Sequence, residues 1–404
     1  MNISLAISSF FSSGCGRRFC TGLVLGIAVL ALTTACRRRG ADDTSAWALP
    51  PGQLALRHVP AHEWPDFTLA FSNRHGLLEG IEHSLRYLSA PSSRRHFPIG
   101  DISHQRTQRG LERFAALLRD EPDDHALMAS LRRDFSLYTS IGHDQRGGVV
   151  FTGYYTPIFE ASLTPDEHFR YPIHRRPDDL IDADDDRSIA WQQLPDGRRQ
   201  PYPSRAELED NDALRGLELA YLPAPYDPYN VQVQGSAKLR LRDGRIMEVG
   251  YAGTNGHPYV SIGQELVNDG HIRADRLSLP AIREFFARNP ELLARYTRRN
   301  PRVIFLREAP GGPFGSLGQP VIADVSIATD KSIFPRGALT YAVTREGQGP
   351  RARPYAAFRL DHDTGGAIRA PGRCDLYMGE GPQAERRAGL QRSPGRLYYL
   401  VTRQ

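Results

Sequence analysis

Cysteine is scarce in this 404-residue chain: Cys15, Cys20, Cys36 and Cys374 are the full set. Removal of an N-terminal export segment leaves Cys36 and Cys374, too few for the disulfide framework of a small secreted scaffold. Cys374 directly precedes Asp375, and His362 is the nearest histidine that could serve it. It therefore reads as a buried thiol, not a nucleophile. Charge of one sign is also lacking. The net charge is +5, of which Arg17 and Arg18 supply the only charges in residues 1–35. Outside Arg37-Arg38-Arg39 there is no Lys/Arg block and no zinc-finger or helix-turn-helix spacing, which argues against a nucleic-acid partner. HExxH, a P-loop and a GxSxG elbow are all missing, so nothing demands a metal, a nucleotide or another cofactor. Asp182, Asp184 and Asp186 alternate like a calcium loop. An EF-hand needs glycine and glutamate where Arg187 and Gln193 stand, so the run reads as a solvated loop.

Long apolar runs are few. Residues 19–35 are mostly apolar and uncharged, follow Arg17-Arg18, and end in small residues before Cys36. This is the pattern of a signal peptide over residues 1–35, too short for a confident transmembrane helix. Residues 36–59 have little periodicity and read as a tether.

Glycine and proline, by contrast, are plentiful, at 37 and 30 residues. Many turns favour a β-rich architecture over a helical bundle. Helical spacing is confined to three early sets: Leu77/Leu78, Ile81, Leu85 and Leu88; Leu111, Phe114, Ala115 and Leu118; and Leu127, Leu131, Phe135 and Tyr138. Each predicts an apolar face packed on a core. From Gly147 the texture becomes strand-like, through Val149-Val150-Phe151, Val231-Gln232-Val233 and Ala237–Leu241. Ser204-Arg205-Ala206-Glu207 is a capping box that opens a short helix. Helices return between Gly263 and Arg298, punctuated by Pro280 and Asn289-Pro290, and Val303–Leu306 restarts the β pattern.

The most informative stretch lies near the C-terminus. Asp363-Thr364-Gly365-Gly366 is followed by Cys374-Asp375-Leu376-Tyr377, and Asp330 lies upstream in Thr329-Asp330-Lys331. A carboxylate beside a buried apolar strand has a raised pKa and can donate a proton. The plain alternative is that Asp363 only shapes a turn through its own backbone. Asp-Thr-Gly is also the signature of aspartic proteases, but those need two such aspartates. With a single copy, that reading requires a homodimer.

Thr329–Gly337, the strand-like Ala338–Val343, DTGGAI, CDLY and the closing Gly379–Ala384 together resemble the 3D module, named for three aspartates. Upstream, Thr152-Gly153-Tyr154-Tyr155-Thr156-Pro157, Tyr171-Pro172-Ile173, Val233-Gln234-Gly235-Ser236 and Asn255-Gly256-His257-Pro258-Tyr259 occur in the order of one family. By these motifs the chain is identified as a member of the membrane-bound lytic murein transglycosylase A family, from about Gly153 onward. Two departures touch the substrate domain. Ala237 replaces a glycine after Gln-Gly-Ser, and Tyr221–Pro225 replaces a segment with a Trp and acidic neighbours.

The resemblance implies a mainly β fold with N-terminal helices. A double-psi β-barrel domain would be split by an inserted second β-barrel-like domain, with a groove between them for the glycan. The implied parts are an N-terminal helical part of the barrel domain (60–154), the insertion (155–300) and the 3D barrel (301–404). It implies a lyase that cuts peptidoglycan glycan strands between N-acetylmuramic acid and N-acetylglucosamine, leaving 1,6-anhydromuramyl ends. Asp375 would be the acid/base, with Asp363 and Asp330 as tuning carboxylates. Thr152, Tyr154, Gln234, Ser236, Gly365 and Gly366 would meet the glycan. Leu32–Cys36 resembles a lipoprotein signal, with Thr33 in place of the usual leucine. Cys36 would then carry the lipid that holds the protein on the periplasmic face of the outer membrane, near complexes of cell-wall synthesis. The other reading from a different class is a non-catalytic peptidoglycan-binding lipoprotein. The presence of all three aspartates favours the enzyme.

Overall fold

The structure, a computed structural model, describes residues 49–403 except 51, 68–72, 122, 184–187 and 348. The signal peptide, Cys36, Asp184 and Asp186 lie outside the described residues. The end of the expected tether is part of the fold: Leu56–Val59 form strand β1, paired antiparallel with β2 (Phe135–Ser140).

The first three helices form where apolar spacing and caps coincide. In α1 (Arg74–Ser89), the Asn73 side chain accepts from Gly76 N at 3.0 Å. Ser103 caps α2 (His104–Asp120), and Asp123 caps α3 (Asp124–Asp134). Such caps satisfy amides that have no partner inside the helix. Their buried faces carry Leu77, Ile81, Leu111, Phe114, Leu127 and Leu131, which share one core with Phe358 and Leu360. The third apolar set does not stay helical throughout. Phe135 and Tyr138 lie on β2, where pairing with β1 and β17 (Arg392–Thr402) satisfies both edges of the backbone.

Six strands close into a ring. In spatial order they are β3 (Val149–Thr156), β16 (Arg373–Glu380), β13 (Ser326–Ala328), β15 (Arg353–Asp363), β14 (Leu339–Glu346) and β17. The ring closes because β17 divides one edge between two partners. Arg392–Gly395 pair with β3, and Tyr398–Thr402 pair with β2. Gly395 sits at that division. A Cβ there would lie 2.2 Å from Val343 O and 2.8 Å from Phe151 Cε2. A second core joins Phe151, Ile327, Cys374, Leu376 and Tyr399 to Ala384 and Ala388 of α9 (Gly381–Leu390).

Between β3 and β13 the chain builds a separate lobe. It contains β4 (Ile158–Ala161), β5 (Tyr171–His174), β6 (Leu180–Ile181), β7 (Trp191–Gln193), β8 (Arg199–Pro201), α4 (Arg205–Asp210) and β9 (Glu218–Leu222). There follow α5 (Asp227–Gln234), β10 (Ser236–Leu241), β11 (Ile246–Thr254), α6 (Ile262–Asn268), α7 (Leu279–Arg288), α8 (Leu293–Thr297) and β12 (Ile304–Glu308). Its main sheet runs β12-β11-β10-β4 over its own core of Ala161, Ile173, Leu239, Val249 and Leu306. Two expectations change here. Val231-Gln232-Val233 is helical, because Pro228 opens α5 and Gly235, at φ 78°, closes it in the left-handed region. The lobe also runs past residue 300, since β12 is paired with β11. At the other end, the expected boundary at 154/155 falls inside β3. The Ser204–Glu207 capping box is present at α4.

Gly395→Ala is expected to destabilise the chain by roughly 1–3 kcal/mol through overpacking at the ring's division point. Urea unfolding of the two proteins measures the difference.

Candidate active site

Strand register assembles the site. The three-residue strand β13 lies between β15 and β16, and Ala328 is paired with Asp363 on one side and Asp375 on the other. On the far side of β16, Asp375 is paired with Thr152 of β3, and Tyr377 with Tyr154. Residues directly across paired strands lie on one face, and so do positions two apart along a strand. Thr152, Asp375 and Asp363 therefore form one row, with Tyr154 and Tyr377 beside it.

The carboxyls differ in their surroundings. Asp375 is half-buried, and its Oδ1 has no hydrogen-bond partner. Burial pushes its pKa up to about 6. The Arg373 guanidinium and the Thr152 hydroxyl oppose that rise, and Asp363 adds to it. Arg373 Nη2 in turn donates to the Thr152 hydroxyl at 3.2 Å. Asp363 is also pushed upward by burial. Against this, its Oδ1 accepts from the backbone amides of Thr364 and Ser316, each at 2.8 Å. One carboxyl is thus held by amide donors that favour its charged form, and the other keeps an unsatisfied oxygen.

Asp330 is fully buried and both its oxygens are engaged. Oδ1 accepts from Ser332 N at 3.1 Å and from the Ser332 hydroxyl at 2.6 Å. Oδ2 accepts from Ala370 N at 2.9 Å. Ala370 has φ 66°, an unfavourable left-handed backbone for a residue with a side chain. Asp330 therefore ties the loop after the glycine pair to its own turn.

The remaining expected residues lie around this row or at the junction of the lobes. A Cβ on Gly366 would lie 3.0 Å from Nε of Arg302, and Arg302 Nη1 donates to His257 O at 3.0 Å. Gly366 thus admits the insert lobe to the turn. A Cβ on Gly365 would meet Ile368 at 3.4 Å, an ordinary contact. Gln234 accepts from Tyr155 N at 3.1 Å. Ser236 is buried, 3.3 Å from the Thr156 hydroxyl, which lies 2.9 Å from the Tyr377 hydroxyl. Cys374 is buried, and burial pushes its thiol well up. His362 is engaged with Ser84 and Ser326 at 2.9 and 2.8 Å, not with Cys374.

Two family descriptions match the chain: the MltA specific insert domain over residues 150–307 and the 3D domain over 325–401. The membrane-bound lytic murein transglycosylase A of Vibrio cholerae is 33% identical over 268 residues, covering 64% of this chain and 67% of the relative. That of Escherichia coli K12 is 33% identical over 267 residues, covering 65% and 68%. This chain belongs to the membrane-bound lytic murein transglycosylase A family. Among solved structures, the family member from Agrobacterium tumefaciens superposes with a TM-score of 0.71 at 25% identity, covering 86% of this chain and 98% of that one. Escherichia coli MltA with bound chitohexaose gives 0.68 at 25% identity, covering 90% and 99%. The mainly β fold with helices is thus the fold of this family.

The family motifs do not point to one group that the structure places beneath the row. Lys331 is fully buried and paired with Asp361 Oδ1. Asp361 Oδ2 also accepts from Thr329 Oγ1 at 2.7 Å and from the Tyr399 hydroxyl at 2.8 Å. Asp361 lies two residues before Asp363 on β15, and the Lys331 charge opposes the upward shift of Asp363. Lys331 and Lys238 are the only lysines in the sequence, which is the one signal that could have singled Lys331 out.

Two outcomes are expected. Lys331→Met leaves Asp361 buried without its counter-charge and should cost about 3–5 kcal/mol, read by thermal or urea unfolding. Asp375 holds a proton in the folded chain that the unfolded chain releases nearer pH 4. Its contribution to stability is therefore complete at low pH and is lost as pH rises through about 6. Asp375→Asn should accordingly stabilise the fold by about 2–3 kcal/mol at pH 7 and change it little at pH 4.

Proposed function

We propose that Asp375 is the single acid/base of a peptidoglycan lytic transglycosylase reaction. The activity class follows from family membership. The observation that supports the residue assignment is the Asp375 carboxyl, raised to about 6 and with one oxygen unpartnered. A carboxyl raised to about 6 is protonated below that pH and in a minority of molecules near neutrality, and in that form can deliver its proton to a glycosidic oxygen. The bond between N-acetylmuramic acid and N-acetylglucosamine then breaks, and the leaving sugar takes the proton. The C6 hydroxyl oxygen of the muramyl residue closes on its own C1, and Asp375 accepts the hydroxyl proton. The product is a 1,6-anhydro ring, and no water is consumed.

Asp363, held by two backbone amides and opposed by Lys331, supplies the neighbouring negative charge during bond breaking. Asp330 holds the loop that carries Gly365 and Gly366. Thr152 and Tyr154 meet the glycan from β3, while Gln234 and Ser236 act at the junction of the lobes. The closed six-strand ring is read as a double-psi β-barrel carrying the 3D module. The groove between this ring and the inserted lobe takes the glycan, and the Arg302 approach to Gly366 supports that position. The relative crystallised with chitohexaose supports a sugar-chain ligand. Cys36 carries the lipid anchor, and the periplasmic face of the outer membrane is the proposed location, within reach of cell-wall synthesis complexes. No helix among the described residues is long and apolar enough to cross a membrane.

Mass spectrometry of purified peptidoglycan digested by the protein should show anhydromuropeptides. Asp375→Asn should reduce their release by roughly 10²–10⁴-fold. Reducing-end products from the native protein would instead mean hydrolysis and remove the single-residue mechanism. The rate should fall as pH rises through about 6, because the acid must start protonated.

A further inference from the structure

Asp363 accepts from two backbone amides, and they reach it by different routes. Thr364 N is its chain neighbour, whereas Ser316 N comes from a hairpin 47 residues earlier. That hairpin, residues 313–321, is closed by Val321 N donating to Pro313 O and Gly315 N donating to Gln319 O, each at 2.9 Å. Buried Gly315 and Leu317 flank the exposed Ser316. Gly315 rests on the end of β15. A Cβ there would lie 2.7 Å from His362 O and 3.3 Å from Asp363 Cβ. The first contact is with backbone, so the hairpin would have to shift to relieve it. The far arm is tied to α1. His83 Nδ1 lies 2.9 Å from Pro320 O, and Arg86 Nη1 donates to Gln319 Oε1 at 3.2 Å. A carbonyl only accepts, so His83 Nδ1 carries the proton.

An amide fixed in this way favours a carboxylate over a carboxylic acid. Burial raises the Asp363 pKa, and the Thr364 and Ser316 amides, the Lys331 charge and the Tyr154 hydroxyl oppose the rise. Asp375 and Tyr377, both on β16, are the other titratable groups coupled to it. Of the opposing groups, the Ser316 amide is the one delivered by a separate hairpin. We propose that residues 313–321 form a positioning clasp: Gly315 seats it, His83 ties it to α1, and its Ser316 amide holds the Asp363 carboxylate toward the sugar being cleaved. The proposal rests on the glycan reading given above. Gly315 and His83 act through Asp363 and are positioning residues. As the glycosidic bond breaks, positive charge grows at the sugar C1, and a carboxylate stabilises it better than a neutral acid. Asp375 must therefore start protonated and Asp363 ionised. Activity falls above about 6 as Asp375 loses its proton, and falls at lower pH as Asp363 gains one. Loss of the Ser316 donor disfavours the charged form of Asp363, so the acidic limb moves to higher pH and the active window narrows.

Two variants test the clasp. Gly315→Ala displaces the amide, and His83→Leu removes the tie to α1 without touching the turn at Asp363. The Asp363 carboxyl is followed by carbon NMR as pH is varied, beside the pH profile of kcat/KM on purified peptidoglycan. In both variants the Asp363 titration and the acidic limb should move to higher pH together, while the alkaline limb stays near 6. For Gly315→Ala, kcat/KM on the acidic side should fall roughly 10- to 100-fold. A native Asp363 titration in the folded variants would overturn the proposal. So would a uniform loss of rate at every pH that tracks the melting temperature. If Gly315→Ala does not fold, His83→Leu carries the test alone. The titration needs no substrate, so it judges the clasp even where the native protein releases no anhydromuropeptides, the result that would sink the glycan reading by itself.

Discussion

The site depends on the position of β13, a strand of three residues. It is parallel to β15 and antiparallel to β16. That mixed pairing lets two carboxylates from distant parts of the chain end in one row, opposite the same Ala328. Ala328, itself buried, places only a methyl group between them while its backbone is paired on both sides. The register shift between Ile327 and Ala328 brings Asp363, not His362, opposite Ala328. Successive strand residues point to opposite faces. Without that shift the row would present the His362 ring, which is instead fixed between Ser84 and Ser326.

Much of this was legible in the sequence, because function has left local traces. The glycine pair after Asp363, the apolar strand around Asp375 and the ordered motifs upstream are all short-range patterns. The helices α1 and α2 were equally plain, since apolar spacing and caps lie within one segment. What escaped has a long-range cause. Phe135 and Tyr138 share helical spacing with Leu127 and Leu131, and only pairing with β17 turns them into strand. Val231 and Val233 have strong β propensity, yet Pro228 and Gly235 frame a helix around them. Asp361 carries no motif, and its role arises from Lys331, thirty residues earlier, folding back beneath it. That Thr152 faces Asp375 is likewise a matter of register across more than two hundred residues, which no local pattern encodes.

Charge is handled differently inside and outside. Arginine supplies nearly all the cations, and many of its ion pairs lie at the surface, where each contributes little. The two lysines occupy structural junctions. Lys238 on β10 bridges Glu248 of its own lobe at 3.1 Å and Glu380 of the ring at 2.8 Å. Lys331 occupies the interior, where a compact ammonium fits between one carboxylate and one hydroxyl. A guanidinium is larger, and its five donors would each need an acceptor in a space that provides few.

The division of β17 between β2 and β3 also sets an order of events as the chain folds. β3 emerges early, but its partners β16 and β17 follow only after the whole inserted lobe. The lobe has its own core and can collapse locally, whereas ring closure waits for strands separated by long stretches of chain. Until β17 is delivered, β14 and β3 each lack an edge partner. The row of Thr152, Asp375 and Asp363 therefore has no rigid frame in a nascent chain. The row is complete only when the last strand of the chain has closed the ring.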